Sequence, residues 1–232
     1  MPKVGVGNNL PIIFVKNDIK SLLTICLLAN TNSLIFDYIT RQKISGTHMN
    51  FHYVKQLPVL PPKTYTTRHL LFTIPRILEL TYTAWDLKPF ADDIWAEGDE
   101  DLRTAIKKQW EENQKETSGH TNITPPDWLE ILYSLNPNNP NKNACPLPPF
   151  KWDEARRARL KAELDAFYAK LYGLTEEELR YILDPKDVFG EDYPGETFRV
   201  LKEKGIRQFG EYRTKRLILE AWEKLPTLVE IL

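Results

Sequence analysis

Residues 45–62, "SGTHMNFHYVKQLPVLPP", decide the fold class. If they are extended, the chain mixes strands with helices; if they are helical, it is all α. Gly46 reads as a turn. Thr47, Phe51, Tyr53, Val54 and Val59 are β-branched or aromatic, the residue types that favour strands. Pro58, Pro61 and Pro62 lack a backbone N–H, which confines such a strand to a sheet edge or ends it. The stretch therefore predicts a small β element around 46–60.

The flanks read as helix. "DIKSLLTICLLANTNSLIFDYITRQKI" (18–44) predicts one helix, with Asp18 as N-cap and Gly46 as the stop. "RHLLFTIPRILELTYTAWDLKPFADDIW" begins a second helical region over 68–97, with Pro75 in a first turn and Ile77, Leu78, Leu80 and Trp85 in the core. Further helices are expected over 99–116, 126–134, 153–172, 176–183, 195–208 and 211–225. Leu160, Leu164, Phe167, Tyr168 and Leu171 share one face of the 153–172 helix. Gly173 ends that helix, and Thr175 with Glu178 makes a capping box for the next. Residues 117–150 are rich in Asn, Pro and Thr and read as a long loop around the short helix. The expected fold is mainly α (α+β), divided into 1–67 and a helical 68–232.

Composition bounds the function. The chain has 232 residues, 42% hydrophobic and 27% charged, with a net charge of −1, which fits a globular protein without an overall nucleic-acid or membrane bias. Cys26 and Cys145 lie in unrelated contexts, so neither a disulfide framework nor a zinc site is expected, and a reduced cytoplasmic protein fits. No apolar run approaches the roughly 20 residues of a membrane span. There is no phosphate-binding glycine loop, no H-E-x-x-H and no G-x-S-x-G. Catalytic residues and metal ligands are accordingly expected to be none. His48 and His52, on one face of a strand, would stand about 13 Å apart, too far to share an ion.

Charge is segregated along the chain. The 41 positions between Asp37 and Glu79 carry Arg41, Lys43, Lys55, Lys63, Arg68 and Arg76 and no acid. Residues 86–116 carry ten acids against five bases. A basic, acid-free surface suits phosphate contact with counterion release; a partly buried strand with few charges is the other reading. Arg199, Lys202, Lys204, Arg207, Arg213, Lys215 and Arg216 form a second basic group, readable as phosphate contacts or as a solvated helix face. Residues 153–183 have the outline of a helix-turn-helix, but the second helix would open on Glu176, Glu177 and Glu178, which repel phosphate.

Four blocks in order carry a resemblance: "NSLIFDYITRQKISGTHMNFHYVKQLPVLPP", "PRILELTYTAWDLKPFADD", "PLPPFKWDEARRARLKAELDAFYAKLYGLTEEELRYILDP" and "GETFRVLKEKGIRQFGEYRTKRLILEAW". They are similar to the C-terminal region of large, type IIG-like adenine-specific DNA methyltransferases of restriction–modification and phage-defence systems. The resemblance implies a prokaryotic, cytoplasmic protein that contacts double-stranded DNA. Residues 1–67 would close a target-recognition domain, and 68–232 would brace it against the methylase. In that family an upstream domain binds S-adenosylmethionine and flips the target adenine; its N-P-P-Y motif is absent from this sequence. The resemblance therefore implies recognition and scaffolding, with the cofactor and the catalytic domain or subunit elsewhere. Thr47, His48, Asn50, His52 and Lys55 lie in the matching block as DNA-proximal candidates, beside Arg41, Lys43, Arg213, Lys215 and Arg216 from the charge pattern. The other reading is a non-catalytic protein-interaction module, or a truncated relic without DNA affinity of its own, since Met1 falls where the family is mid-domain.

Overall fold

A computed structural model describes residues 20–44, 46, 49–119, 124–134 and 144–225. Among the described residues the chain is all-helical: twelve α-helices, two single 3-10 turns and no strand. The mainly α expectation holds, and the β element does not.

Two groups of residues each pack around their own core. The first comprises Leu27–Pro61 and the chain from Lys161 onward; the second comprises Pro62–Leu160 and the segment that ends at Cys26.

The first group contains most of α1 (Ser21–Thr31), then α2 (Leu34–Lys43) and α3 (Phe51–Val54). The single helix expected over 18–44 breaks into α1 and α2, bent by 61°. Ser33 causes the break: extended at ψ 147°, it accepts the amide of Phe36 and caps α2. The carboxylate of Asp165 takes the next free amide, Leu34 N, at 2.7 Å.

Residues 50–57 wind into α3 instead of a strand. The amides of Tyr53, Val54, Lys55, Gln56 and Leu57 all bond to carbonyls three or four residues back. A lone strand with three prolines nearby would leave its N–H and C=O groups without partners, whereas a helical turn satisfies them locally. Strand propensity needs a neighbouring strand to act on, and none is present among the described residues. The "LPVLPP" run that follows is fastened from outside. Asn30, fully buried, accepts Leu60 N at 2.9 Å and donates to the hydroxyl of Tyr172 at 2.7 Å. That hydroxyl donates to the carbonyl of Pro58 at 2.6 Å.

The rest of this group is α8 (Glu154–Leu171, from Lys161 on), α9 (Glu176–Leu183), α10 (Lys186–Phe189), α11 (Arg199–Phe209) and α12 (Arg213–Lys224). The core is Ile35, Phe167, Tyr168, Leu179 and Ile218. Gly173, at φ 76°, ends α8 with Leu174 N bonded to Ala169 O and Gly173 N to Lys170 O, a Schellman motif. The Thr175–Glu178 capping box forms as expected.

The second group contains α4 (Thr67–Thr81), α5 (Lys88–Glu97), α6 (Glu100–Glu116), α7 (Asp127–Ser134) and the start of α8. Pro75 lies in the interior of α4, not in a first turn; it withholds the amide that would meet the carbonyl of Leu71. Helix α4 packs along α6 through Ile74, Ile77, Leu78, Leu102 and Ile106. Between them Glu79, 2% exposed, accepts Gln109 Nε2 at 2.6 Å, Asn113 Nδ2 at 2.9 Å and the Arg156 guanidinium at 2.6 and 3.0 Å. Arg156 also meets Glu116 at 2.8 Å. Cys26 and Cys145 are buried and outside any disulfide, their thiols pushed up to about 12 and about 11 by burial. Among the described residues no single helix is long and apolar enough to cross a membrane.

Candidate nucleic-acid interface

The first of the candidate basic residues, Arg41 and Lys43, lie where α2 ends. Leu34, Ile35, Phe36 and Thr40 turn inward, which leaves Arg41, Gln42 and Lys43 on the outer face of the last turn. That turn rests on the chain leading into α11. Gln42 Nε2 donates to Thr197 Oγ1 at 3.1 Å, the rings of Tyr38 and Phe198 lie 6.5 Å apart, and Arg41 sits 5.4 Å from the centre of Phe198. The start of the acid-free run thus lies beside the start of the second basic group, a juxtaposition across more than 150 residues of sequence.

The cations there divide into two kinds. Lys43, Lys55, Lys204 and Arg207 are exposed. Arg41 shares its charge with Asp37 at 3.0 Å, and Arg199 lies 3.7 Å from Glu203. Arg213 lies flat against Phe209, 3.7 Å from the ring centre. Lys215 and Arg216 have fixed partners. Lys215, 20% exposed, pairs with Asp187 at 2.6 Å and Asp184 at 3.3 Å. Arg216 is gripped by Glu211 at 2.9 Å and Glu220 at 2.7 Å, which raise its already high pKa. Asn50 is exposed at the N-cap of α3 with no side-chain capping bond, and His52, also exposed, has its ring 4.0 Å from that of Tyr53 and tilted by 38°. Thr47 and His48 lie outside the described residues.

One organising residue has no counterpart among the residues expected from sequence. Asp184, 6% exposed, accepts Lys202 at 2.9 Å as well as Lys215, and so ties α9 to α11 and α12. Burial works against its charge, but the two ammonium groups outweigh burial and hold the carboxyl below its ordinary range. Its signal in sequence is faint: a lone acid after the apolar end of α9, ahead of Pro185. Burial pushes the Tyr212 phenol up beside Asp184, Glu196 and Asp165, and its hydroxyl has no hydrogen-bond partner among the described residues.

No group of three or more His, Cys, Asp or Glu among the described residues is arranged to hold a metal ion. Compared with known family models, curated proteins and solved structures, the chain matches none of them.

Proposed function

We propose that this chain is the DNA-contacting and scaffolding portion of an adenine-specific DNA methyltransferase of a restriction–modification or phage-defence system, with S-adenosylmethionine and methyl transfer belonging to another domain or subunit. The observation that carries the proposal is the order of the four sequence blocks. The packing of Arg41 on Phe198 and of Gln42 on Thr197 supports it, because it sets the end of α2 beside the start of α11, two distant stretches that each carry cations. The exposed cations Lys43, Lys55, Lys204 and Arg207 are the phosphate contacts in this reading. Lys215 ties α12 to the carboxylates after α9 instead, and Arg216 is paired within α12 and the turn ahead of it.

Fluorescence anisotropy with a labelled DNA duplex tests the proposal. Binding should weaken steeply between roughly 50 and 200 mM salt. Replacing Lys204 and Arg207 by alanine should lower the salt slope by about one unit for each phosphate no longer neutralised. No binding at low salt, alone or with the cognate methylase chain, overturns it. A protein-interaction module is the second reading, and α11 favours it. That helix buries none of its residues, and Val200, Ile206 and Phe209 stand 74%, 47% and 45% exposed. Retention of a methylase chain without DNA affinity would select that reading.

A further inference from the structure

Helix α11 has one side against the protein and one side open. Lys202 reaches Asp184 at 2.9 Å, and a Cβ at Gly205 would stand 3.2 Å from the carbonyl of Glu211, so positions 202 and 205 mark the inner side. At 3.6 residues per turn the opposite side is Val200, Lys204 and Arg207, spaced i, i+4 and i+7. All three are exposed, Val200 by 74%.

Val200 also borders a surface hollow of about 630 Å³ that it shares with Glu191, Asp192 and Tyr193. The hollow meets α11 only at Arg199 and Val200, the first two residues of the helix. Phe189, 61% exposed, stacks on Tyr193 with ring centres 5.1 Å apart. The open side therefore has three parts in order. Glu191 and Asp192 come first, then an apolar centre of Phe189, Tyr193 and Val200. Lys204 and Arg207 follow, about 6 and 10 Å along the helix axis from Val200.

The charges left over select the occupant. Lys186 and Arg199 also line the hollow, but carboxylates of the same chain are near them: Glu191 and Glu196 each lie 3.9 Å from Lys186, and Glu203 lies 3.7 Å from Arg199. Glu196 in turn is held by Lys202 at 3.2 Å. Asp192, Lys204 and Arg207 have no ion pair among the described residues, and Glu191 is 93% exposed. An all-acidic partner would satisfy the two bases and oppose the two acids; an all-basic partner would do the reverse. The same surface turned about a two-fold axis near Val200 satisfies both ends at once, because it sets the acids of each copy against the bases of the other.

We propose that this face is a self-complementary contact between two copies of the chain, with Val200 and Phe189 at its centre and Glu191 and Asp192 of each copy paired with Lys204 and Arg207 of the other. One exposed helix and a short loop make a small interface, so the contact is weak and reversible. It goes beyond the DNA-contacting role and puts Lys204 and Arg207 to a second use that competes with phosphate.

Sedimentation equilibrium of the full chain without DNA tests the proposal, so its outcome is independent of the DNA-contacting reading. From about 1 μM to about 1 mM protein at about 50 mM salt, the mass should rise from 27.1 kDa towards twice that value and stop there. Glu191→Lys with Asp192→Lys should weaken association about tenfold or more, and so should Lys204→Glu with Arg207→Glu, since each pair of changes sets like charges across the axis. An equimolar mixture of these two variants should recover association, because both ends are again opposite in sign, and a misfolded variant cannot imitate that recovery. Val200→Asp, at an exposed position, should weaken association about tenfold by charging the apolar centre. A monomer throughout, growth past the dimer, unchanged association in any of these variants, or a mixture that does not recover overturns the proposal.

Discussion

Glu79 and Asp184 are both buried carboxylates that join helices, and they are held in different ways. Glu79 faces a planar guanidinium and two side-chain amides, so all its partners are fixed in geometry and buried. Asp184 faces two lysines, 22% and 20% exposed, each with a second carboxylate in reach: Glu196 for Lys202 and Asp187 for Lys215. The first arrangement has no substitute partner from solvent. The second is partly wet. A forked guanidinium suits a dry core, while flexible ammonium groups suit a seam between surface helices.

The largest effect should therefore come from breaking the drier hub. Glu79→Ala leaves the buried Arg156 only the half-exposed Glu116 and, at 3.8 Å, Glu112, and takes an acceptor from Gln109 and Asn113. The expected loss is about 3–5 kcal/mol, measured by urea denaturation. A loss below about 1 kcal/mol would mean that the hub is solvated in solution.

Asp184→Ala should cost less, about 2 kcal/mol, because both lysines are partly exposed and water can replace the lost carboxylate. It also has a pH signature. A carboxyl held below its ordinary range in the folded protein contributes stability above about pH 4, and that contribution disappears as pH falls through the lower folded value. Urea denaturation at acid pH and near neutrality should show the Asp184→Ala deficit shrinking at the acid end.

Asp165 sharpens the contrast, being a half-buried carboxylate that bonds a backbone amide in place of an ammonium or guanidinium. Burial pushes it up to about 7; the Leu34 amide and Lys161 oppose the shift, and Asp37 adds to it. A raised aspartate works in the opposite sense to Asp184: its share of stability is fullest below about pH 4 and falls away as pH rises to about 7. Asp165→Asn keeps an oxygen for Leu34 and removes the charge. It should stabilise the protein by about 1 kcal/mol at about pH 8 and change little near pH 4, read as a shift in thermal midpoint.

Features whose partners lie within one turn of helix are legible in the sequence. The Thr175–Glu178 box and the stop at Gly173 need only their own neighbours, and both form as expected. Residues 46–60 go the other way because a strand is defined by a partner, and propensity alone cannot supply one. The same limit applies to charge. Nothing near Lys215 shows that it is spoken for by Asp184, 31 residues earlier, while Arg207 stays exposed. Glu79 is the more readable of the two hubs: a single acid within "PRILELTYTAW", closing a long acid-free run, is an acid placed for burial.

Lys215 and Arg216 carry the smallest effects, and the difference between them repeats the opening contrast at neighbouring positions. Both are ion-paired, yet Arg216 and its partners Glu211 and Glu220 are 45%, 42% and 44% exposed, whereas Lys215 reaches a nearly buried carboxylate. Water replaces what Arg216→Ala removes, and exposed pairs are individually weak. Arg216→Ala should change stability by no more than about 0.5 kcal/mol, and Lys215→Ala by about 1 kcal/mol. Raising the salt from about 0.1 to 1 M should erase the Arg216 effect first, because screening acts on the exposed pair before the half-buried one. Equal costs for the two substitutions would mean that the burial of Asp184 does not set the strength of these contacts.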